Sequence, residues 1–383
     1  MSLKKQELYQ TNKDNPDSIT FSLVNTSIQL EEIIPLLKNE SLLGIDLEME
    51  NNLHHYGAYI SIIQISSKTK NWIIDALAIK DLSSLWNIFE DEAIEKIFHD
   101  ISFDFRILNS QYSCKPKNVF DSELAAVILG KESVGLQTLL QEYFGVKKES
   151  KFQMADWTKR PLKADMLEYA IKDTVYLIPL REKLKEQLKE KNRLSWAKES
   201  FKHICQQDYQ LKHPEFEDLR GLSQLNSQEL GILKQLFNLR EHLAKKINRP
   251  VHYILNNKRL KELSQQPPKS ISEWKNMRGV HPILRAQAQN FFLAVQKGLK
   301  QPVVLAKTKA KKFSSEQKEQ LEILTQVRDH LEKKHQLKAH VFLTKDKMVE
   351  IILLKSLEPL LSWQREEVNI ALKELHKNLD LLV

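Results

Sequence analysis

Residues 42–49, Leu-Leu-Gly-Ile-Asp-Leu-Glu-Met, constrain the fold most, because they carry two acids inside an apolar run that is typical of a buried strand. Side chains alternate between the two faces of a strand, so Asp46 and Glu48 share one face, about 7 Å apart. Carboxylates on a nearly buried face repel each other unless a cation or a donor compensates them, and divalent cations with oxygen ligands commonly do so. The alternative is an amphipathic edge strand whose acids lie in water.

Asp104 lies in a second acidic segment, after a predicted strand that ends near His99. Apolar residues surround it one turn into the following predicted helix, where an exposed position or an ion pair with Arg106 is the alternative to a functional role. Asp100 and Asp121 each precede a predicted helix, and acids at such positions typically accept hydrogen bonds from the first backbone N–H groups. We therefore assign both to helix caps.

A third acid, Asp173, lies on an apolar stripe that predicts a single helix over residues 165–191. The stripe advances by three or four residues at each step and comprises Tyr169, Asp173, Leu177, Leu180, Leu184 and Leu188. Pro179 predicts a kink, because proline removes a backbone donor and crowds the preceding turn. An acid on an apolar face needs a partner, and Tyr169 lies one turn earlier. A hydrogen-bonded Tyr–Asp pair that closes the core fits this pattern as well as catalysis does.

The chain has 383 residues, enough for two or three domains. In the first half of the chain, short β-branched and aromatic runs alternate with helical patterns. This predicts an α/β domain that contains a mixed sheet, and the domain ends near residue 195. Residues 1–19 are polar, and we expect them to be loosely packed. The predicted strands are 20–24, 42–49, 59–65, 71–75 and 96–99, and the predicted helices are 27–38, 81–90, 121–129 and 134–144.

Two features bear on the compartment. No apolar run approaches the roughly 18 residues that a membrane span needs, and the first residues lack the apolar core of a signal peptide. Cys114 and Cys205 are too few and too far apart for a metal knuckle, and unpaired thiols fit a reducing compartment. We therefore expect a cytoplasmic protein that has no membrane partner.

The net charge of +8 is distributed unevenly along the chain. Residues 1–200 carry −4 and residues 201–383 carry +12, and residues 251–312 hold 13 basic and 2 acidic side chains. This segment favours a polyanionic partner, nucleic acid, over a solvated surface, which usually mixes both signs. A docking face against the first domain is the other alternative. The candidate contacts are Lys258, Arg259, Lys261 and Arg278.

The second half also contains an internal repeat. Residues 240–246, Arg-Glu-His-Leu-Ala-Lys-Lys, recur as residues 328–334, Arg-Asp-His-Leu-Glu-Lys-Lys. Residues 255–260 recur with the same polarity at 343–348, so both offsets are 88 residues. A constant offset indicates two copies of one helical module, which the lysine-rich segment 307–312 joins.

The three acidic segments, in this order, resemble the exonuclease motifs of the DEDD superfamily of 3′-to-5′ exonucleases. They are Asp46-Leu47-Glu48, Phe103-Asp104 and Tyr169-Ala170-Ile171-Lys172-Asp173. The tyrosine subclass is indicated, since the histidine subclass would have histidine where this chain has Glu168. Residues 20–200 are similar to the ribonuclease D family in particular, notably over Asp156-Trp157-Thr158-Lys159-Arg160-Pro161-Leu162. Residues 220–300 resemble the C-terminal domain that helicases share with ribonuclease D (the HRDC domain), especially over residues 274–280.

This resemblance implies a ribonuclease H-like α/β exonuclease domain with a mixed sheet at residues 1–200, followed by two all-α helical modules at 215–300 and 313–383, the second divergent. It implies a 3′-to-5′ exoribonuclease that acts on RNA with a free 3′ end, releases 5′-monophosphates and trims tRNA precursors. By the family pattern, the Tyr169 hydroxyl orients the attacking water and can help to take its proton. Two divalent ions, Mg²⁺ or Mn²⁺, are held by Asp46, Glu48, Asp104 and Asp173. We expect a monomer.

Two rival functions stay open at this point. A DNA-directed exonuclease of the same superfamily would share every metal ligand and differ in its treatment of the 2′-hydroxyl. A non-catalytic nucleic-acid-binding protein on the same scaffold would be favoured by the loss of a carboxylate, and none is lost here.

Overall fold

The computed structural model describes residues 8–10, 19–147, 151–212, 214–305 and 313–379. One sheet is formed by β1 (Leu8–Gln10), β2 (Thr20–Val24), β3 (Leu42–Asn51), β4 (Ala58–Ser66), β5 (Asn71–Asp75), β6 (Glu95–Phe98) and β7 (Val119–Asp121). Their order across the sheet is β1-β2-β5-β4-β3-β6-β7. β3 pairs with β4 in antiparallel and with β6 in parallel fashion, so the predicted mixed sheet is confirmed and the edge-strand alternative for residues 42–49 is wrong. β1 is a strand within the polar residues 1–19, where none was predicted.

Helices cover both faces of this sheet. They are α1 (Ser27–Lys38), α2 (Ser83–Glu90), α3 (Ser102–Tyr112), α4 (Ser122–Leu129), α5 (Leu136–Phe144), α6 (Ala164–Ile171), α7 (Leu177–Glu190) and α8 (Leu194–Gln206). Consecutive residues of β4 are therefore fully buried: Ile63 packs in a cluster with side chains of α1, α2 and α3, and Ile62 packs in a cluster with side chains of α6. A strand with two covered faces is apolar at most positions, and β4 carries isoleucine at positions 60, 62, 63 and 65.

The single helix predicted over residues 165–191 is wrong. The chain forms α6, then a turn over residues 172–176, and then α7, so Asp173 lies in the turn and not on a helix face. Pro179 is the third residue of α7. Proline is tolerated there because the N–H groups of the first helical turn have no intrahelical partner. The predicted kink is therefore wrong, and Pro179 lies at the start of a new helix.

The helix cap assigned to Asp100 is also wrong, whereas the one assigned to Asp121 is confirmed. Asp100 has a positive φ of 55°, and its carboxylate accepts a hydrogen bond from the Ser102 hydroxyl (2.9 Å) and none from the α3 backbone. Asp121 accepts from the backbone N–H groups of Glu123 (2.8 Å) and Leu124 (3.1 Å) at the start of α4.

The second half of the chain is helical, as predicted. Its helices are α9 (Ser227–Lys246), α10 (Val251–Ile254), α11 (Asn257–Gln265), α12 (Ile271–Lys275), α13 (Pro282–Ala286), α14 (Ala288–Lys300), α15 (Ser315–His335), α16 (Lys345–Leu354) and α17 (Ser362–Glu374). No helix among the described residues is long and apolar enough to cross a membrane.

The helix starts repeat at the spacing read from the sequence. α15 begins 88 residues after α9, and α16 begins 88 residues after α11. The capping boxes at Asn226 and Ser314, which accept from the first turns of α9 and α15, share this offset. α17 begins only 74 residues after α14, so the two modules diverge in their later halves. The lysine segment 307–312 lies outside the described residues.

The second module is docked on the exonuclease domain through aromatic and polar contacts. Trp363, 5% exposed, stacks on Trp196 of α8 with ring centroids 4.6 Å apart. The Glu199 carboxylate accepts from the backbone N–H groups of Ser362 (2.6 Å) and Trp363 (3.3 Å). Arg193 donates to the carbonyl oxygen of His335 (2.7 Å). These contacts therefore fix the second module against the exonuclease domain.

Candidate active site

β3 supplies the first two carboxylates of the site. Ile45 and Leu47 are buried on one face of the strand, and Asp46 and Glu48 alternate with them on the other, where each is partly exposed. The register of β3 against β4 shifts between Glu48 and Met49, so the strand is irregular directly after its second acid. The alternation predicted from the sequence thus holds up to this bulge.

Asp173 reaches the same place because its turn packs directly on β3. A Cβ atom added to Gly44 would lie 2.8 Å from the carbonyl oxygen of Thr174 and 3.1 Å from the Cβ of Leu177. The Thr174 hydroxyl also lies 2.7 Å from the Ser66 hydroxyl of β4, in the interior. A residue without a side chain at position 44 therefore allows the turn to place Asp173 beside Asp46.

We predict that Gly44→Ser lowers the free energy of unfolding by about 1–3 kcal/mol and reduces activity, because the new side chain meets backbone atoms that cannot yield without moving Asp173. Gly135→Ser is the matched control, since a Cβ there meets nothing within 4 Å and serine is a good N-cap for α5. Thermal or denaturant unfolding measures the effect. Equal stability and activity of the two variants would contradict the close packing of the Asp173 turn.

The carboxylates converge to a degree that a structural role does not explain. One oxygen from each of Asp46, Glu48 and Asp173 lies within 4.8 Å of the others. Asp104 of α3, only 7% exposed, adjoins them: burial raises the pKa of its carboxyl well above the usual value, and the charges of Asp46 and Glu48 add to this shift. The exposed position considered for Asp104 is therefore wrong. A Tyr169–Asp173 pair that closes the core does not account for the other three acids.

Tyr169 of α6 stands at the edge of this cluster. Its ring packs against Phe152 and Trp157, with centroid distances of 5.5 and 6.3 Å. Burial raises the pKa of its hydroxyl to about 12, and the charges of Glu48 and Asp46 contribute. The hydroxyl therefore keeps its proton at neutral pH. The aromatic wall fixes the direction in which it points.

Sequence reasoning missed a second acidic group that borders the site. Asp121 accepts hydrogen bonds from the backbone N–H groups of Asp100 (3.3 Å) and Ile101 (3.1 Å), in addition to capping α4. Glu123 lies beside it, and burial raises the pKa of its carboxyl to about 7, with Asp100 and Asp121 contributing. Asp121 thus joins the ends of β6 and β7, and only the pairing of these strands reveals that role.

The four predicted nucleic-acid contacts lie on the first helical module, and two of them have structural partners. Arg259 forms an ion pair with Glu262 (3.0 Å), and Lys261 donates to the carbonyl oxygen of Arg220 (2.9 Å). Lys258 and Arg278 are exposed.

The same module contacts the exonuclease domain at the β3–β4 hairpin. The side-chain oxygen of Asn248 accepts from the backbone N–H of Tyr56 (3.2 Å), and Arg249 donates to the carbonyl oxygen of His54 (3.3 Å). The Tyr56 hydroxyl donates to Glu241 (3.3 Å). The first module therefore lies against the loop that follows the strand of Asp46 and Glu48.

The donor set fits a hard divalent cation. Asp46, Glu48, Asp104 and Asp173 offer only oxygen ligands, which Mg²⁺ and Mn²⁺ prefer. Negatively charged carboxylates that lie close together and are partly buried destabilise the protein unless a cation compensates their charge. The residues present are therefore those that a divalent metal site requires.

Comparison with known proteins gives the same outline. The 3′-5′ exonuclease family model matches residues 21–189, and the HRDC domain model matches residues 229–295. Ribonuclease D of Zymomonas mobilis is 30% identical over 264 residues, which cover 67% of each protein. Exosome complex component 10 of Rattus norvegicus is 29% identical over 328 residues, which cover 79% of this chain and 35% of that protein. The chain thus spans about a third of the length of this second relative.

Two solved structures share the fold. The catalytic core of RRP6 from Trypanosoma brucei superposes with a TM-score of 0.65 at 25% identity, over 73% of this chain and 79% of that one. RNase D of Escherichia coli superposes with a TM-score of 0.71 at 21% identity, over 93% of this chain and 99% of that one. The second match extends the likeness in fold to both helical modules.

Proposed function

The chain belongs to the ribonuclease D family, and from this premise we propose that it is a 3′-to-5′ exoribonuclease that removes single nucleotides from RNA 3′ ends and releases nucleoside 5′-monophosphates. The observation that carries the proposal is the convergence of three carboxylates within 4.8 Å, with buried Asp104 and the Tyr169 hydroxyl beside them. A non-catalytic binding protein would have no need of this convergence, because repelling carboxylates weaken both the fold and the attraction of phosphates.

The proposed metal ligands are Asp46, Glu48, Asp104 and Asp173, and the proposed ions are two Mg²⁺ or Mn²⁺. When bound, such ions stabilise the attacking and the leaving oxygen of a phosphodiester that water displaces in line. The protein contributes the position of the ligands: an inner strand holds two of them, and the Gly44 contact fixes the turn that carries Asp173.

Tyr169 has a separate role in the proposal. With a pKa of about 12 it is a phenol and not a phenolate at neutral pH before any metal ion is bound. Its oxygen accepts a hydrogen bond from the attacking water and thereby orients it. The ring contacts with Phe152 and Trp157 hold the hydroxyl in place for this purpose.

The proposed substrate is RNA with a free 3′ end, and tRNA precursors are the physiological class that the family resemblance favours. We propose that the enzyme acts as a monomer in the cytoplasm. Equal lengths of RNA and DNA of one sequence, each labelled at the 5′ end, test the activity. A descending ladder from RNA in Mg²⁺ or Mn²⁺, abolished by a chelator, is expected. Preferred cleavage of DNA would support the rival function, and immediate release of a labelled mononucleotide would show the opposite polarity.

The first helical module is proposed to supply most of the sequence-independent affinity for RNA. Since Arg259 pairs with Glu262 and Lys261 donates to the carbonyl oxygen of Arg220, the test uses other exposed positions. Replacing Lys258, Lys275 and Arg278 together by glutamine should weaken RNA binding and flatten the plot of log affinity against log salt by up to about 2, at roughly 0.7 per phosphate contact.

The matched control for this triple variant is glutamine at Lys68, Lys70 and Lys80, which are exposed lysines of the exonuclease domain. Binding is measured across a salt series in metal-free buffer, so that no substrate is consumed. Salt slopes that fall equally in both variants, or in neither, would remove this surface from the proposal and leave the segment 307–312 as the basic candidate.

A further inference from the structure

A second cluster of metal-ligating side chains lies outside the carboxylate site. Glu50 is near the end of β3, His54 follows in the β3–β4 loop, and Asp156 comes from the segment before α6. One ligand atom from each of these three residues lies within 4.8 Å of the other two. We infer that one divalent ion of the first transition row, such as Zn²⁺, binds to Glu50, His54 and Asp156 at a site distinct from the catalytic carboxylates.

The two carboxylates of this cluster are already oriented for binding. Glu50 is 3% exposed, and its Oε1 accepts from the backbone N–H groups of Leu53 (2.6 Å) and His54 (3.0 Å). Its Oε2 faces the Nδ1 of His54 at 3.8 Å. The Oδ1 of Asp156 likewise accepts from the backbone N–H of Thr158 (3.1 Å). Metal sites commonly hold their carboxylate ligands by outer hydrogen bonds of this kind, which leave the second oxygen for the ion.

His55 acts as a positioning residue for the cluster. Its Nε2 lies 3.6 Å from Oδ2 of Asp156, and its Nδ1 lies 3.2 Å from the side-chain nitrogen of Asn248. An amide N–H donated to Nδ1 leaves the proton on Nε2, which then points at the carboxylate. Lys159 also approaches Asp156 Oδ2, at 3.7 Å.

The ligand types distinguish this cluster from the catalytic one. An imidazole nitrogen with two carboxylate oxygens suits Zn²⁺ and other transition ions, whereas the all-oxygen set of Asp46, Glu48, Asp104 and Asp173 suits Mg²⁺ or Mn²⁺. His54 is 28% exposed at its side chain, which leaves room for a water as a further ligand. Without an ion, the same residues would form only weak histidine–carboxylate pairs.

The cluster joins three segments that surround the active site. Glu50 follows the strand of Asp46 and Glu48, and His54 and His55 belong to the loop that the first helical module contacts. Asp156 precedes Trp157, whose ring packs against Tyr169. An ion at this site would cross-link segments more than 100 residues apart in sequence. We therefore expect the ion to raise the melting temperature. It should also hold the rings packed around Tyr169 and the contact between the β3–β4 loop and the first module in place.

The test uses the full chain with Asp46→Asn and Asp173→Asn, which weakens the catalytic site, and it is read by metal binding, not by nuclease activity. After chelation and desalting, calorimetric titration with Zn²⁺ should show one equivalent bound and a higher melting temperature. Adding His54→Ala to this background should lower Zn²⁺ affinity at least about 100-fold, and His55→Ala about 10- to 100-fold. His252→Ala, at an exposed histidine of the first module, is the control and should bind as the background does.

Asp156→Asn is a second ligand variant, and it retains an oxygen that accepts from Thr158, so it guards against misfolding of the histidine variants. Loss of Zn²⁺ binding in both ligand variants, with control binding unchanged, would support the site. No stoichiometric Zn²⁺ in the background, or equal affinity in His54→Ala and the control, would overturn it. Either outcome leaves the proposed exonuclease function untouched, because no substrate is present.

Discussion

Replacing Asp46 by asparagine should reduce RNA cleavage by about 10³-fold or more while the fold stays intact. Asp46 lies on an inner strand between two other strands, so the isosteric change disturbs no packing. It removes one charged ligand from a group in which three carboxylates lie within 4.8 Å of one another. Single-turnover cleavage of labelled RNA measures the loss. Asp81→Asn is the matched control, because Asp81 is exposed and asparagine also accepts from Ser83.

The same variant separates a metal site from a merely acidic one. In metal-free buffer, Asp46→Asn should melt at a temperature equal to or above that of the wild type, since one of the repelling charges is gone. Added Mg²⁺ should raise the melting temperature of the wild type more than that of the variant. A cleavage rate close to wild type, or equal stabilisation of both proteins by Mg²⁺, would contradict the assignment of Asp46.

Tyr169→Phe should lower turnover by about 10²- to 10⁴-fold and leave metal binding unchanged. The ring keeps its packing against Phe152 and Trp157, and only the hydroxyl beside the carboxylates is lost. Steady-state kinetics should show the effect in kcat more than in KM. Tyr176→Phe, at the end of the turn over residues 172–176 and packed on Phe144 at 5.7 Å, is the control for loss of a phenol hydroxyl. Turnover equal to that of Tyr176→Phe would remove Tyr169 from the mechanism.

Much of the exonuclease domain could be predicted from periodicity. Every predicted strand and helix up to residue 144 agrees with the structure within two residues at each end, because strand and helix periods are distinct in these segments. β1 and β7 were not predicted. Both are three residues long, too short for a pattern to show, and each pairs with one neighbour at an edge of the sheet.

The residues of the candidate site could be named from the sequence, but their arrangement could not. The alternation of Asp46 and Glu48 on β3 was read correctly, and the burial of Asp104 agrees with its apolar neighbours. The single helix predicted across Asp173 was wrong, because the apolar spacing continues through a turn whose contacts with β3 and β4 depend on the tertiary fold. No metal site was predicted at Glu50, His54 and Asp156, because their approach depends on how a loop folds over a segment 100 residues later.

The basic residues show a further limit of sequence reasoning. A count of charges finds the first module, but it does not tell an exposed cation from one that is used within the fold. Lys261 donates to the backbone carbonyl of Arg220, and Arg259 is exposed but pairs with Glu262, whereas Lys258 and Arg278 are simply exposed. The charge that remains available to a phosphate backbone therefore depends on tertiary contacts.

The carboxylate site is tested most directly by the crystal structure of the protein with Mn²⁺ and a nucleoside 5′-monophosphate, in which anomalous scattering locates the metal. We predict two Mn²⁺ ions about 3.5–4 Å apart, with Asp46, Glu48, Asp104 and Asp173 as their protein ligands and the phosphate as a shared one. The Tyr169 hydroxyl should lie within hydrogen-bond distance of a water beside the phosphate. Mn²⁺ bound elsewhere while these four carboxylates hold none, or a nucleotide bound away from them, would contradict the assignment.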